Sequence, residues 1–423
     1  MNKKISLGAA ATLIIISVAL TFSVTMVIAM RHFNYTMGKV SQRQAMFDYI
    51  TVVDKEVRQN YPGTINEATL RASIAKGYIE GIDDPYAAYL SADDYKKETD
   101  RLSGKRMGLG LEAVRLSDGS VVISSVQKNS AANKAGLKKG DVITQFDGKD
   151  VKSLGFAQIK YKLNTADKVK LTVNRNKSLI AFEISASSYS ITNVESRLIG
   201  TTGYIRISAF YSNTPEQFRD AYTALEEKGA ENYIFDIRYN KGGDLNAVGD
   251  VIGYLIPRGT YANRVTPGTL TELVSKGAYE ITKPSVTLVN NETEGEAELF
   301  AGVLKEFRKT NVAGVTTAGR GLVQKFYTLS DGAAIKLSVA SLSLVSGATI
   351  EGIGIEPDVT AELPPDLANR FAFLTEDNDP QLIAALATLK GGAVTTNTTA
   401  STATTAETTT ATASATITTT KAK

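Results

Sequence analysis

The chain has 423 residues, 43% of them hydrophobic and 22% charged, and a formal net charge of +3. This is the composition of a globular protein of two or three domains with enough apolar residues for a sizeable core, and so small a net charge gives no reason to expect a nucleic-acid partner. There is no Cys, which excludes disulfides, thiolate metal sites and Cys nucleophiles, and the only His, His32, stands beside the apolar N-terminal segment, which excludes a Ser-His-Asp triad in the rest of the chain.

The N-terminus reads Met1-Asn2-Lys3-Lys4 and then runs apolar from Ile5 to Met30, long enough to cross a hydrocarbon core of about 30 Å. Residues 1–30 are expected to be a single-pass signal anchor in the cell membrane, with partner lipid contacted by residues 5–30 and Lys3 and Lys4 keeping the N-terminus cytoplasmic, so that the body is extracytoplasmic. The alternative is a cleaved signal and a secreted protein, for which Val27-Ile28-Ala29 is a poor cleavage site. From 31 to 103 a helical region is predicted, with Phe47, Ile50, Val53 and Val57 and then Leu70, Ile74, Tyr78 and Ile79 recurring at helical spacing. Gly81-Ile82-Asp83-Asp84-Pro85-Tyr86 ends a helix, since the residue before a proline is pushed out of helical conformation.

Residues 104–190 read as one unit. Gly108-Leu109-Gly110-Leu111 is a glycine loop entering a strand, and Ala135-Gly136-Leu137-Lys138-Lys139-Gly140-Asp141-Val142-Ile143 with Asp147-Gly148 resembles the bacterial PDZ signature. A PDZ domain implies binding of a peptide C-terminus, its carboxylate on the N–H groups of Gly108 to Leu111 and its strand added to the sheet edge. A PDZ fold that only braces the core is the alternative.

From 191 to 365 strands alternate with helices: a strand from Gly203 to Ser208, a helix from Pro215 to Lys228 and a buried strand Tyr233 to Arg238, which implies a layered αβ core. Asp236-Ile237-Arg238-Tyr239-Asn240-Lys241-Gly242-Gly243 follows. Then come a buried strand from Ser285, the turn Asn291-Glu292-Thr293-Glu294-Gly295-Glu296, a helix from Ala297 to Arg308, a strand from Val312 to Thr316 and the loop Ala318-Gly319-Arg320-Gly321-Leu322-Val323-Gln324. Strand, sharp turn and helix N-terminus together make a place where backbone N–H groups can meet developing negative charge.

These stretches resemble the carboxyl-terminal processing (tail-specific) peptidases, serine endopeptidases with a Ser-Lys dyad and an inserted PDZ domain. The resemblance covers about 45 to 360. It rests on Asp83-Asp84-Pro85-Tyr86, on the PDZ signature, on Asp236 to Gly243 (with Lys241 where the family has Pro), on Glu298-Leu299, on Gly319, Gly321, Val323 and Gln324, and on Glu351-Gly352-Ile353-Gly354-Ile355-Glu356-Pro357-Asp358. It implies an α/β multidomain fold with a crotonase/ClpP-like layered core, and it implies that Gly242 and Gly243 form an oxyanion loop. In the same register the nucleophile falls on Gly295 and the base on Arg320, with no gap needed.

Glycine has no attacking group, and Arg, with a pKa above about 12, cannot serve as a general base. The expectation is a homologue without a working dyad, keeping Gln324 and the Gly242-Gly243 loop, with no metal and no cofactor. Its partners are expected to be polypeptide C-termini or unfolded tails, and either further copies of itself or an active peptidase. Arg320 is expected to bridge to Glu294 or Glu296, since four glutamates from Glu292 to Glu298 crowd one turn. The competing readings are an active serine-type or Thr-dependent endopeptidase using Thr293 or Thr317, with Lys241 as a substitute base, and a structural envelope protein. Beyond a helical segment at 366–390, the Thr/Ala-rich stretch 391–423 reads as a disordered tail.

Overall fold

The computed structural model describes residues 7–278 and 280–391. Lys3 and Lys4 and residues 392–423 of the expected tail therefore lie outside the described residues.

Residues up to Ser73 form one unit and those from Ile74 another. The first is dominated by a helix of 54 residues, Leu7–Asn60. The anchor and the first helix of the following region, expected as separate segments, are one continuous helix, because no proline interrupts the run before Pro62. Thr12–Phe33 within it is 22 residues long and apolar enough to cross a membrane, and its side chains are exposed. At the other end Arg58 pairs with Asp54 at 2.9 Å and with Glu67 at 2.6 Å, which clamps the bend at Pro62-Gly63.

In the second unit the incoming strand Lys105–Gly108 pairs antiparallel with the outgoing strand Ser187–Ser190, so the chain leaves and returns at one place and everything between is an insertion. The insertion is an antiparallel sheet ordered Leu111–Arg115, Val121–Val126, Val142–Phe146, Lys168–Arg175, Ser178–Ser185, closed over its core by the helix Phe156–Thr165. Its signature residues have local work. Gly136 caps the short helix Ala131–Ala135 in the left-handed conformation at φ 89°. Asp141, 2% exposed, accepts the Lys138 N–H at 2.9 Å and pairs with Arg175 at 2.6 Å.

The core is a six-stranded sheet ordered Val194–Ile199, Thr202–Ile207, Asn232–Asp236, Ser285–Val289, Asn311–Gly314, Val359–Thr360, parallel except for the first pair. Ser285–Val289 is buried at all five positions because both sheet faces are covered. One face packs against the helices Thr214–Glu227, Leu245–Ile252 and Glu296–Glu306 through Phe218, Phe235 and Phe300. The other packs against Pro380–Leu389 through Ile234, Val286, Leu382 and Ala385. That last helix is also pinned by charge: Arg238, 1% exposed, binds Asp236 at 2.6 Å, Asp379 at 2.8 Å and Gln381 at 3.0 Å.

A second sheet lies over the helix Glu296–Glu306, built on the hairpin Leu322–Thr328 with Ala334–Leu344. A short strand, Ala88–Leu90, pairs with Ala334–Lys336 on it. This strand falls in the region read as helical from sequence; three residues are too few to show a period of two.

Candidate functional site

The strand Ser285–Val289 ends at Asn290, and the chain turns through 291–295 into the helix Glu296–Glu306. Asn290 fixes this turn. Its side-chain oxygen accepts from the Tyr239 N–H at 2.9 Å and, at 3.2 Å, shares the single Thr293 hydroxyl proton with the Ile237 carbonyl, and its own N–H donates to the Thr293 hydroxyl oxygen at 3.0 Å. Gly295 then takes φ 61° and ψ −124°, a conformation open to glycine and strained for any other residue. This is the sharp strand-to-helix turn on which a nucleophile is presented. A Cβ at Gly295 would have only the Arg320 carbonyl oxygen near it, at 3.8 Å, so the space for a side chain is there and the side chain is not.

The loop carrying Arg320 is tied to this turn by Glu298, whose carboxylate is fully buried. It accepts from the N–H groups of Gly295 at 3.0 Å, Gly319 at 2.7 Å and Arg320 at 2.7 Å, and from the Thr317 hydroxyl at 2.5 Å. The sequence held a signal for part of this: a glutamate three residues after a helix N-cap is the returning half of a capping box. The Arg320 guanidinium donates to Glu294 at 2.7 Å and lies 5.6 Å from the centre of the Tyr86 ring, which gives the Asp-Pro-Tyr stretch a place at the site. Glu294, not Glu296, is therefore the partner of Arg320.

Lys241 also binds Glu294, and Glu292 at 3.0 Å. Burial alone would lower the Lys241 pKa, but the hydrogen bonds to Glu294 and Glu292 outweigh it and raise it, so this lysine keeps its proton and is unsuited to act as a base. The two threonines considered as substitute nucleophiles are both buried and committed. Thr293 donates to the Ile237 carbonyl at 3.1 Å, and Thr317 donates to Glu298 while accepting the Ile355 N–H at 2.7 Å. Gln324 donates to the Ser338 hydroxyl at 2.8 Å and lines the same cleft. Glu292 and Glu294 share Lys241, while Glu296 and Glu298 bind backbone amides, and among the described residues no group of three or more His, Asp or Glu is arranged to hold a metal ion.

Neither glycine amide of the expected oxyanion loop is free. Gly242 donates to the Asn240 side-chain oxygen at 2.9 Å, and Gly243 donates to the Glu296 carboxyl at 2.9 Å. Gly242 adopts φ 77°, and a Cβ on it would come within 2.3 Å of the Glu296 carboxyl. Burial raises the Glu296 pKa, against the opposing hydrogen bonds from Gly243 and from its own N–H. The residue as a whole is half-buried and lines the cleft, with its carboxyl held against the Gly242-Gly243 backbone. The cleft, of about 660 Å³, runs past Tyr86, Arg101, Gly243, Gly295, Arg320 and Gln324. A second cavity, of about 320 Å³, separates the Gly108 to Leu111 loop from Arg206, Tyr211 and Tyr239 of the core. Arg101 lines both, held by Glu98 at 2.6 Å and by the Tyr211 hydroxyl at 2.5 Å. In the loop, Gly110 has φ 75°, and a Cβ there would stand 2.1 Å from the Ser130 Cβ.

Residues 201–361 match the family model described as Peptidase family S41, and residues 106–186 match that of the PDZ domain. The chain is 33% identical over 332 residues, 77% of its length, to the carboxy-terminal processing protease CtpA of Bacillus subtilis, covering 71% of that protein. It is 29% identical over 379 residues, 86% of its length, to a probable CtpA-like serine protease of Staphylococcus aureus, covering 76% of it. Among solved structures, a putative S41 protease from Bacteroides fragilis shares the fold at a TM-score of 0.58 and 18% identity, over 80% of this chain and 97% of that one. With these likenesses the layered core, the PDZ insertion and the strand-turn-helix site place the chain in peptidase family S41, among the carboxy-terminal processing proteases that carry a PDZ domain.

Proposed function

We propose that this protein is a membrane-anchored, extracytoplasmic member of its family that does not cut polypeptides and instead binds their free C-termini through its PDZ domain. The observation that carries the first half is the site itself. The position that the family resemblance gives to the nucleophile is Gly295, which has no side chain to present, and the position it gives to the base is Arg320, tied to Glu294. An attacking group and a proton acceptor are both required for acyl transfer, and loss of either removes the chemistry. A Thr-dependent peptidase is disfavoured by the buried hydrogen bonds of Thr293 and Thr317. Binding is supported by the Gly108 to Leu111 loop, open to the cavity that also meets Arg106 and Arg206. Cationic side chains around that cavity suit a terminal carboxylate. Anchoring is supported by the exposed apolar stretch Thr12–Phe33.

The test is a titration of the full chain in detergent with a peptide ending in a free carboxylate and with its amidated twin. The free acid is expected to bind more tightly. Equal affinity would show that no carboxylate seat is in use, and the binding half of the reading would be abandoned.

A further inference from the structure

Resting on the reading of an inactive site, we propose that Glu296 is an internal plug: its carboxyl group fills the anion seat of the Gly242-Gly243 loop, so the oxyanion pocket is closed independently of the missing nucleophile and base. An oxyanion donor must stand about 2.7–3.1 Å from the oxygen it stabilises. The Gly243 N–H stands 2.9 Å from a Glu296 carboxyl oxygen, so an acceptor already sits where such a donor acts. The fit involves both partners. Glycine at 242 leaves the room the carboxyl takes, since a Cβ there would meet it at 2.3 Å. Glu296 begins the helix Glu296–Glu306, and its own N–H also points at its carboxyl, so the side chain folds back over the helix start. Its neighbours Glu294 and Glu298 are occupied elsewhere, by Arg320 and by the Arg320 loop amides, so Glu296 is the glutamate of the turn that meets this amide. The inference adds a third lesion to the two at the dyad positions. Rebuilding the dyad by Gly295→Ser and Arg320→Lys would give a nucleophile and a base facing a seat that is already taken.

Two experiments test it. Gly242-Gly243 and Gly391-Gly392 are the Gly-Gly pairs of the sequence, so a protein labelled with carbonyl-13C,15N-glycine yields two carbonyl-to-amide correlations, one of them from Gly243. In the full chain in detergent, Glu296→Ala is expected to move the Gly243 amide proton upfield. Sodium acetate is expected to move it back in the variant and leave wild type unchanged. A Gly243 signal unmoved by Glu296→Ala overturns the plug, whatever the activity results. The second experiment compares cleavage of an unfolded protein by wild type, the Gly295→Ser/Arg320→Lys double variant and the triple variant that adds Glu296→Ala. The triple is expected to exceed the double by about 100-fold or more, the usual effect of one oxyanion donor. A double variant as fast as a cutting triple overturns the plug. If both rebuilt variants stay inert, the amide signal decides. Cleavage by wild type would instead strike at the inactive reading, and the amide signal would still judge the plug separately.

Discussion

Replacing Gly295 by Ser restores the attacking hydroxyl, yet the backbone opposes it. The φ of 61° with ψ of −124° lies where a side chain costs about 1–3 kcal/mol, and steric crowding adds nothing, because the nearest atom to a new Cβ is 3.8 Å away. Gly295→Ser and Gly295→Ala should therefore destabilise the full chain by about the same 1–3 kcal/mol. Gly77, inside the helix Glu67–Glu80 with nothing within 4 Å of an added methyl, supplies the contrast. There the same Gly→Ala change should stabilise by about 0.4–1 kcal/mol or at least cause no loss. The assay is denaturant unfolding in detergent with the slope checked for constancy, so that a changed midpoint reads as changed stability. If Gly295→Ser were as stable as wild type, the turn would not be holding strain and its glycine would need another explanation.

Three further outcomes follow from the same geometry. Burial raises the Glu296 pKa, so its neutral form is favoured on folding: the stability this contributes is full below the unfolded carboxyl pKa and is lost as pH rises through the higher folded value, with Asp244 adding to the penalty. Wild type should accordingly lose stability relative to Glu296→Gln as pH rises above the ordinary carboxyl range, measured by parallel unfolding curves, and a gain would refute the assignment. Asp379→Ala leaves the buried Arg238 short of a partner at 2.8 Å and should cost about 3–5 kcal/mol, read by unfolding and by faster amide exchange in Pro380–Leu389. Gly110→Ala puts a methyl 2.1 Å from the Ser130 Cβ at φ 75° and should abolish binding of free-acid peptides in a calorimetric titration.

The alternation of strands and helices and the long apolar start were legible because they are periodic over many residues, and the turn at Gly295 was legible because strand, glycine and helix stand in order. The role of Arg320 as a bridge could be expected from the crowd of glutamates, but its choice of Glu294 could not, since that depends on which carboxylate the folded turn projects toward the loop. Glu296 was the least readable. Its partner, Gly243, is 53 residues away, and nothing local distinguishes it from an ordinary exposed first-turn glutamate. The contact of Tyr86 with Arg320 was hidden for the same reason, since it joins distant parts of the chain.

The most direct measurement is incubation of the 423-residue chain in detergent with an unfolded protein ending in a free carboxylate, followed by mass spectrometry of the intact substrate and any fragments. The absence of an attacking group at Gly295 and the engagement of Arg320, Thr293 and Thr317 lead to an uncut substrate at every pH tried. Reproducible fragments that vanish on Thr293→Ala or Thr317→Ala would contradict the account and make this chain a working peptidase with a nucleophile other than the one its family position provides.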